Sequence, residues 1–225
     1  MGASLADQLL AGSDGTSSSL AIALGANLGD PLATLLAVRP LLERIVAETV
    51  QAAGLPADHL RCRWSPLFRT APVGGPPAQP PYLNAVLVAA PADPRSPLGG
   101  LDPLAMLGRL QALEHRFGRQ RHERWGPRHL DLDLLWCGQV QCRTPGLELP
   151  HPRLLERVFV LAPLAAIDPG LIPPGSATPA APLLAALLGR PGEIPPMALP
   201  GRSGWPEQRP DCRDQADPHG APAAP

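Results

Sequence analysis

Apolar residues recur along the chain in two rhythms. Short apolar runs stand at "LAIALG" (20–25) and "YLNAVLVAA" (82–90), and "LRCRWSPLFRT" (60–70) alternates in part. Runs of that length, bounded by glycine or proline, predict β-strands. Pro66 marks an edge or a bulge in the second of them. Elsewhere the rhythm is helical. Asp30 followed by Pro31 is a cap and a first helical position, and the helix it opens is expected to run towards residue 52, kinked or interrupted at Pro40. Asp102 and Pro103 repeat the signal, and Leu104, Leu107, Leu110, Leu113 and Phe117 supply the stripe of a second helix that Gly118 ends.

An arginine-rich loop follows, and then a last strand containing "HLDLDLLW". The order is β-α-β-β-α-β. It predicts an α+β fold of the ferredoxin-like kind, an antiparallel sheet with both helices on one face. "LPHPRLLERVFVLAPLAAIDP" (149–169) predicts a turn and a short helix. Residues 1–18 read as a flexible lead, 19–170 as one domain, and 171–225 as a Pro/Ala/Gly-rich, largely disordered tail in which "PAAPLLAALLG" forms at most a turn or two of helix.

Composition narrows the picture. The chain has 225 residues, of which 32 are proline and 4% aromatic, so long irregular segments are expected. All 19 basic residues are arginine. A phosphate loop of the Walker type needs a lysine, so none is present. The net charge of −1 gives no general attraction for nucleic acid or an anionic membrane. Four cysteines without CxxC or metal-ligand spacing read as free thiols in a reducing compartment. No basic residue precedes Arg39, so a secretory leader is not expected. No apolar run approaches the roughly 18 residues of a membrane span. A cytoplasmic protein is expected.

The candidate chemistry lies in "RWGPRHLDLDLLW" (124–136). On a strand, Asp131 and Asp133 project from one face while Leu130, Leu132 and Leu134 project from the other. Two carboxylates that close repel each other, so a cation must lie between them or their pKa values must rise. The pair reads either as a solvated face with arginine partners or as a divalent-metal site, for which Mg²⁺ shared with substrate phosphates is the natural occupant. Arg119, Arg121, Arg124 and Arg128 lie nearby, beside Trp125. They form either a solvated loop or a set of forks for phosphate oxygens. Glu114 sits in the last turn of its helix, where the macrodipole disfavours an anion. A ligand, a cation partner or a surface salt bridge to Arg119 or Arg121 accounts for it.

"RWGPRHLDLDLL" resembles the signature of the 6-hydroxymethyl-7,8-dihydropterin pyrophosphokinase family. "ALGANLGD" (23–30), "FRTAPVGGPPAQPPYLNA" (68–85) and "PHPRLLERVFVLAPL" (150–164) resemble further blocks of that family in the same order. The resemblance covers about residues 19–170. It implies a ferredoxin-like fold and transfer of diphosphate from ATP to the pterin hydroxymethyl group, releasing AMP. It also implies two Mg²⁺ ions on Asp131 and Asp133, with Arg119 and Arg128 joining them as catalytic residues. ATP contacts then fall on Gln111, Glu114, Arg119, Arg121, Trp125, Arg128, Leu134, His151 and Arg157. Pterin contacts fall on Thr70, Val73, Tyr82, Asn84, Trp125 and Phe159. A flat heterocycle needs aromatic faces, and an amide-like edge needs the donor and acceptor that Asn84 offers.

Without the resemblance, Tyr82 and Phe159 read equally as core packing, and His151 as a turn histidine. The chain departs from the family's pattern at Ala26, Ala71, His122 and Pro152, and in one extra residue between Thr70 and Asn84. The partners expected are the two small substrates, with no nucleic acid and no membrane, and the protein is expected to be a monomer. The alternative is a non-catalytic ferredoxin-like RNA-binding or scaffold protein.

Overall fold

The structure is a computed structural model that describes residues 19–55, 60–93, 98, 100–118, 126–200 and 204–205. Its elements run β1 (Leu20–Ala26), α1 (Pro31–Ala52), β2 (Leu60–Trp64), β3 (Phe68–Thr70), β4 (Tyr82–Pro91), α2 (Pro103–Arg116) and β5 (Asp131–Cys137). A two-stranded ribbon of β6 (Cys142–Thr144) and β7 (Leu147–Leu149) follows. Then come a 3-10 turn at Leu154–Glu156, α3 (Val158–Ile167), α4 (Ala180–Leu188) and β8 (Met197–Ala198).

The main sheet has the order β5-β1-β4-β3-β8, with β2 also on β4, and every pairing is antiparallel. This is the expected α+β arrangement. What reads in sequence as one second strand is two, β2 and β3. Both lie along β4, and Ser65-Pro66-Leu67 breaks them because a proline nitrogen cannot join the ladder.

Both predicted helices start as their sequences dictate. The Asp30 carboxylate accepts from Ala33 N at 3.0 Å, and that of Asp102 from Leu104 N and Ala105 N at 2.9 and 3.1 Å. α1 is one unbroken helix, not one interrupted at Pro40. Pro40 lies on its exposed side, where water can serve the carbonyl the missing N–H leaves behind. Leu35, Val38, Leu42, Val46 and Val50 form its buried stripe, and Met106, Leu110 and Leu113 that of α2. These stripes meet Leu20, Ile22, Leu24, Leu83, Leu87, Leu132 and Leu134 in a single layer.

The other face of the sheet is covered only in part. Ala21, Ala23, Val86, Val88, Leu135 and Trp136 pack there against Val158, Leu161 and Leu164 of α3 and Ala180 and Leu187 of α4. Residues 171–200 therefore correct the expectation of a largely disordered tail. α4 buries Ala180 and Leu187 beside α3, in the apolar cluster on that face, and β8 adds a strand at the edge of the sheet. Residues 1–18 and 206–225 lie outside the described residues. No described helix is long and apolar enough to cross a membrane.

Candidate active site

The period of two along each strand divides this second face into an apolar half and a polar half. On β4, Val86 and Val88 lie under α3, and the same side continues through Asn84 to Tyr82. On β1 it runs from Ala21 through Ala23 to Gly25, and on β5 from Leu135 and Trp136 to Asp133 and Asp131. A bulge between the pairs Ala21–Trp136 and Ile22–Leu134 lets both Leu135 and Trp136 join the apolar half. Where the cover of α3 ends, the polar half floors a cleft of about 280 Å³. Its walls are the 71–74 loop, Gln79, Arg128, Arg153 before the 3-10 turn, and Arg157 and Phe159 at the start of α3.

Asp131 and Asp133 stand opposite Gly25 and Ala23 of β1. Both are half-buried, and each meets a guanidinium. Arg128 Nη1 donates to Asp131 Oδ1, and Arg157 Nη1 donates to Asp133 Oδ2 at 2.6 Å. His151 Nε2 lies 3.9 Å from the same Asp133 oxygen. The backbone N–H of Arg153 donates to His151 Nδ1 at 3.1 Å, which leaves the ring proton on Nε2, facing Asp133. Burial lowers the His151 pKa from its ordinary 6.5, against the opposing pull of Asp133. The imidazole is therefore a neutral donor at pH 7.

Across the cleft, Asn84 is buried, and its Nδ2 donates to Thr70 Oγ1 at 2.7 Å. Gly25 is its cross-strand partner. A Cβ on Gly25 would lie 2.7 Å from Asn84 Oδ1, closer than packed atoms approach, so the glycine makes room for this amide. Tyr82 OH donates to Gly126 O at 3.2 Å, and burial raises its pKa, which keeps the phenol protonated.

Asn27, buried, ties two walls together. Its Nδ2 donates to Pro80 O at 3.0 Å, its Oδ1 accepts from Arg128 N at 2.7 Å, and its own N–H donates to Arg128 O at 2.9 Å. Sequence reasoning passed over Gly25, Asn27, Gln79 and Arg153. A glycine inside a strand pattern is a signal of close approach, and Arg153 stands one helical turn before Arg157. Asn27 gave no signal beyond its place in a turn.

The structure brings Thr70, Val73, Tyr82, Asn84, Arg128, Asp131, Asp133, Arg157 and Phe159 around one cleft, with His151 just behind Asp133. Arg119, Arg121 and Trp125 lie outside the described residues. Gln111 and Glu114 on α2 are not among the residues lining the cleft. Glu114 is not a surface group either: it is 1% exposed, and its Oε1 accepts from Leu132 N at 2.7 Å. Leu134 sits in the core shared with α1 and α2, so its side chain points away from the aspartates.

The sheet thus carries a carboxylate pair and guanidiniums at one open cleft, a set of groups suited to phosphate oxygens and a divalent cation. Residues 21–169 match the model of the 7,8-dihydro-6-hydroxymethylpterin-pyrophosphokinase family, and the chain belongs to that family. It is 37% identical over 155 residues to the 2-amino-4-hydroxy-6-hydroxymethyldihydropteridine pyrophosphokinase of Synechocystis, which covers 69% of each chain. To the enzyme of the same name from Pseudomonas aeruginosa it is 39% identical over 159 residues, 70% of this chain and 86% of that one. The fold is similar to that of the Plasmodium falciparum HPPK-DHPS protein with pteroate, at a TM-score of 0.50 and 11% identity. That match covers 83% of this chain and 47% of the other.

Membership makes the chain a diphosphokinase of folate synthesis, which moves diphosphate from ATP to hydroxymethyldihydropterin. It leaves the RNA-binding and scaffold alternative without support.

Proposed function

We propose that the cleft between β3, β4, β5 and α3 is where this transfer occurs, the pterin lying on the Thr70–Asn84 side and the triphosphate on the aspartate side. The observation that carries this reading is the position of Asp131 and Asp133. They form the polar end of an otherwise apolar sheet face, each beside an arginine and within the same cleft as Asn84.

The donor set fits Mg²⁺. Carboxylates are the hard oxygen ligands it prefers, and it keeps positions for water and phosphate oxygens instead of requiring a protein-only cage. Among the described residues no group of three or more His, Cys, Asp and Glu forms such a cage. Asp131 and Asp133 would hold two ions. Bound there, Mg²⁺ supplies positive charge that offsets the triphosphate and eases loss of the hydroxymethyl proton.

The residues of the chain do the positioning. Asn84, held by Thr70, presents its amide oxygen to the pterin edge, and Tyr82 and Phe159 offer aromatic faces. The pterin hydroxymethyl oxygen attacks the β-phosphorus of ATP, and its proton passes to solvent water. The bond from that phosphorus to the oxygen of the α-phosphate breaks, and AMP leaves. Charge spreads over the phosphoryl oxygens on the way, so electrostatics and alignment carry most of the catalysis. Arg128 and Arg119 stabilise the moving diphosphate, with Arg121 and Arg157 on other phosphate oxygens. Gln111 serves the nucleotide, Glu114 acts on it only through the Leu132 N–H that it holds, Leu134 through its backbone and His151 through Asp133. Trp125 contacts both substrates on this reading, and Val73 borders the pterin. We read the chain as a cytoplasmic monomer.

With Mg²⁺, ATP and the pterin, purified protein is expected to release AMP and no ADP. Asp133→Ala is expected to abolish turnover and metal-dependent nucleotide binding. ADP release, or an active Asp133→Ala enzyme, overturns the reading.

A further inference from the structure

Part of the chain beyond the family match reaches back to the strand that opens the substrate cleft. β3 has only three residues. One side of it pairs with β4, and the other with β8, where Phe68 lies opposite Ala198 and Arg69 opposite Met197. Just before β3, the Leu67 carbonyl accepts from Leu199 N at 2.8 Å.

A second attachment lies at the break between β2 and β3. Trp205 is 2% exposed, and its indole Nε1 donates to Ser65 O at 2.8 Å. Its ring lies 4.9 Å from that of Trp64. The Arg39 guanidinium is 5.1 and 5.3 Å from the two ring centres, and it donates to Gly204 O at 3.0 Å. Trp205 also has φ 53°, a conformation that bulky residues adopt only where the surroundings enforce it. On its inner side the break is tied to β4: Ser65 N donates to Val86 O and Val86 N to Ser65 Oγ, both at 3.0 Å.

Ser65-Pro66-Leu67 is thus gripped from both sides, and β3 leads straight from it to Thr70. Thr70 Oγ1 holds the Asn84 amide, and the next four residues, 71–74, wall the cleft. We infer that residues 197–200 and 204–205 act as a strap that positions β3, and through Thr70 the amide of Asn84, so that they set pterin affinity without touching the substrate. This rests on the reading of Thr70 and Asn84 as the pterin subsite. A segment that only added stability would have no reason to affect one substrate more than the other, and this difference is what the test reads.

The test uses the full chain and three variants. Trp205→Phe keeps an aromatic ring and loses the N–H; Trp205→Ala loses both; Leu199→Pro removes the β8-side N–H and leaves Trp205 intact. Steady-state AMP release is measured against pterin at saturating ATP and against ATP at saturating pterin, with thermal unfolding alongside. The pterin KM is expected to rise about tenfold in Trp205→Ala and less in Trp205→Phe, while the ATP KM stays within about twofold. Leu199→Pro is expected to raise the pterin KM in the same direction. If Trp205→Ala does not fold, Trp205→Phe and Leu199→Pro decide. An unchanged pterin KM with a lowered Tm, or equal rises for both substrates, overturns the strap. A wild-type protein without pterin-dependent AMP release overturns the functional reading instead.

Discussion

Arg157 Nη1 donates to Asp133 Oδ2 at 2.6 Å, so the carboxylate proposed for metal already has a cation. Metal and guanidinium compete for one oxygen. On the proposed assignment ATP would resolve the competition, because its phosphates would give the arginine a new acceptor while the carboxylate turned to the metal. Removing the arginine is therefore expected to act in opposite directions on two ligands. Arg157→Ala is predicted to bind Mn²⁺, used as a probe for Mg²⁺, more tightly in the absence of nucleotide, and to bind ATP about tenfold more weakly. Metal titration by electron paramagnetic resonance and ATP titration by calorimetry measure the two effects. Weakening of both shows that the arginine only orders Asp133.

The space left by Gly25 sets a second expectation. A methyl group there meets Asn84 Oδ1 at 2.7 Å, and the amide must turn or its strand must shift. Asn84 cannot turn freely, because its Nδ2 is bonded to Thr70. Gly25→Ala is predicted to raise the pterin KM by about tenfold or more with a smaller change for ATP, the loss of one well-placed hydrogen bond being worth about 1–3 kcal/mol. Thr70→Val leaves the amide N–H unserved and is expected to move the same parameter. Steady-state kinetics with both substrates checks this pair. Equal effects on both substrates rule out a local displacement of Asn84.

The element order and the aspartate face were legible because they rest on local rules. The Asp-Pro caps, the alternation of β5 and the Leu110–Leu113 part of the α2 stripe each follow from a few neighbouring residues, whereas Leu104, expected in that stripe, is exposed and Met106 takes the buried place. The misread parts depend on contacts distant in sequence. α4 and β8 look disordered when read for composition, since proline and alanine predict little structure. They are ordered because α4 packs against α3 and β8 pairs with the edge of β3. Leu134 illustrates the same limit. Its place in the signature implies a ligand contact, while the strand's alternation, stated from the same residues, already sends its side chain to the core. Asn27 joins loops 53 and 101 residues away, and no local pattern announces that.

Glu114 joins α2 to the strand that carries the aspartates. Its Oε1 accepts from Leu132 N, on the side of β5 that has no strand partner among the described residues, between Asp131 and Asp133. Glu114→Ala is predicted to leave that buried N–H unserved, at a cost of about 1–3 kcal/mol, and to lower kcat as the carboxylates lose their fixed register. Glu114→Gln keeps an acceptor oxygen and is expected to recover most of the stability. Denaturant unfolding of the two variants gives the comparison. If Gln proves as destabilising as Ala, the negative charge of Glu114 matters more than the bond to Leu132.

Two thiols contribute to the response to alkaline pH. Burial, reinforced by Asp102, raises the Cys137 pKa to about 12. Burial, reinforced by Glu43 and opposed by Arg39, raises that of Cys62 to about 11. Both lie above the ordinary 9.0, so the folded chain holds these protons where the unfolded chain releases them. Their contribution to stability is thus complete below pH 9 and lost as pH rises through 11 to 12. Neither thiol lines the cleft. At pH 8 a thiol of pKa about 11 is roughly 0.1% thiolate, too little for rapid alkylation. Native protein treated with iodoacetamide at pH 8 is expected to leave Cys62 and Cys137 unmodified, as read by peptide mass spectrometry, and to label both after denaturation. The fall in Tm above pH 9 is expected to be shallower in Cys62→Ala and Cys137→Ala than in the wild type. Rapid labelling of either thiol in the folded enzyme shows that its strand opens on the timescale of the reagent.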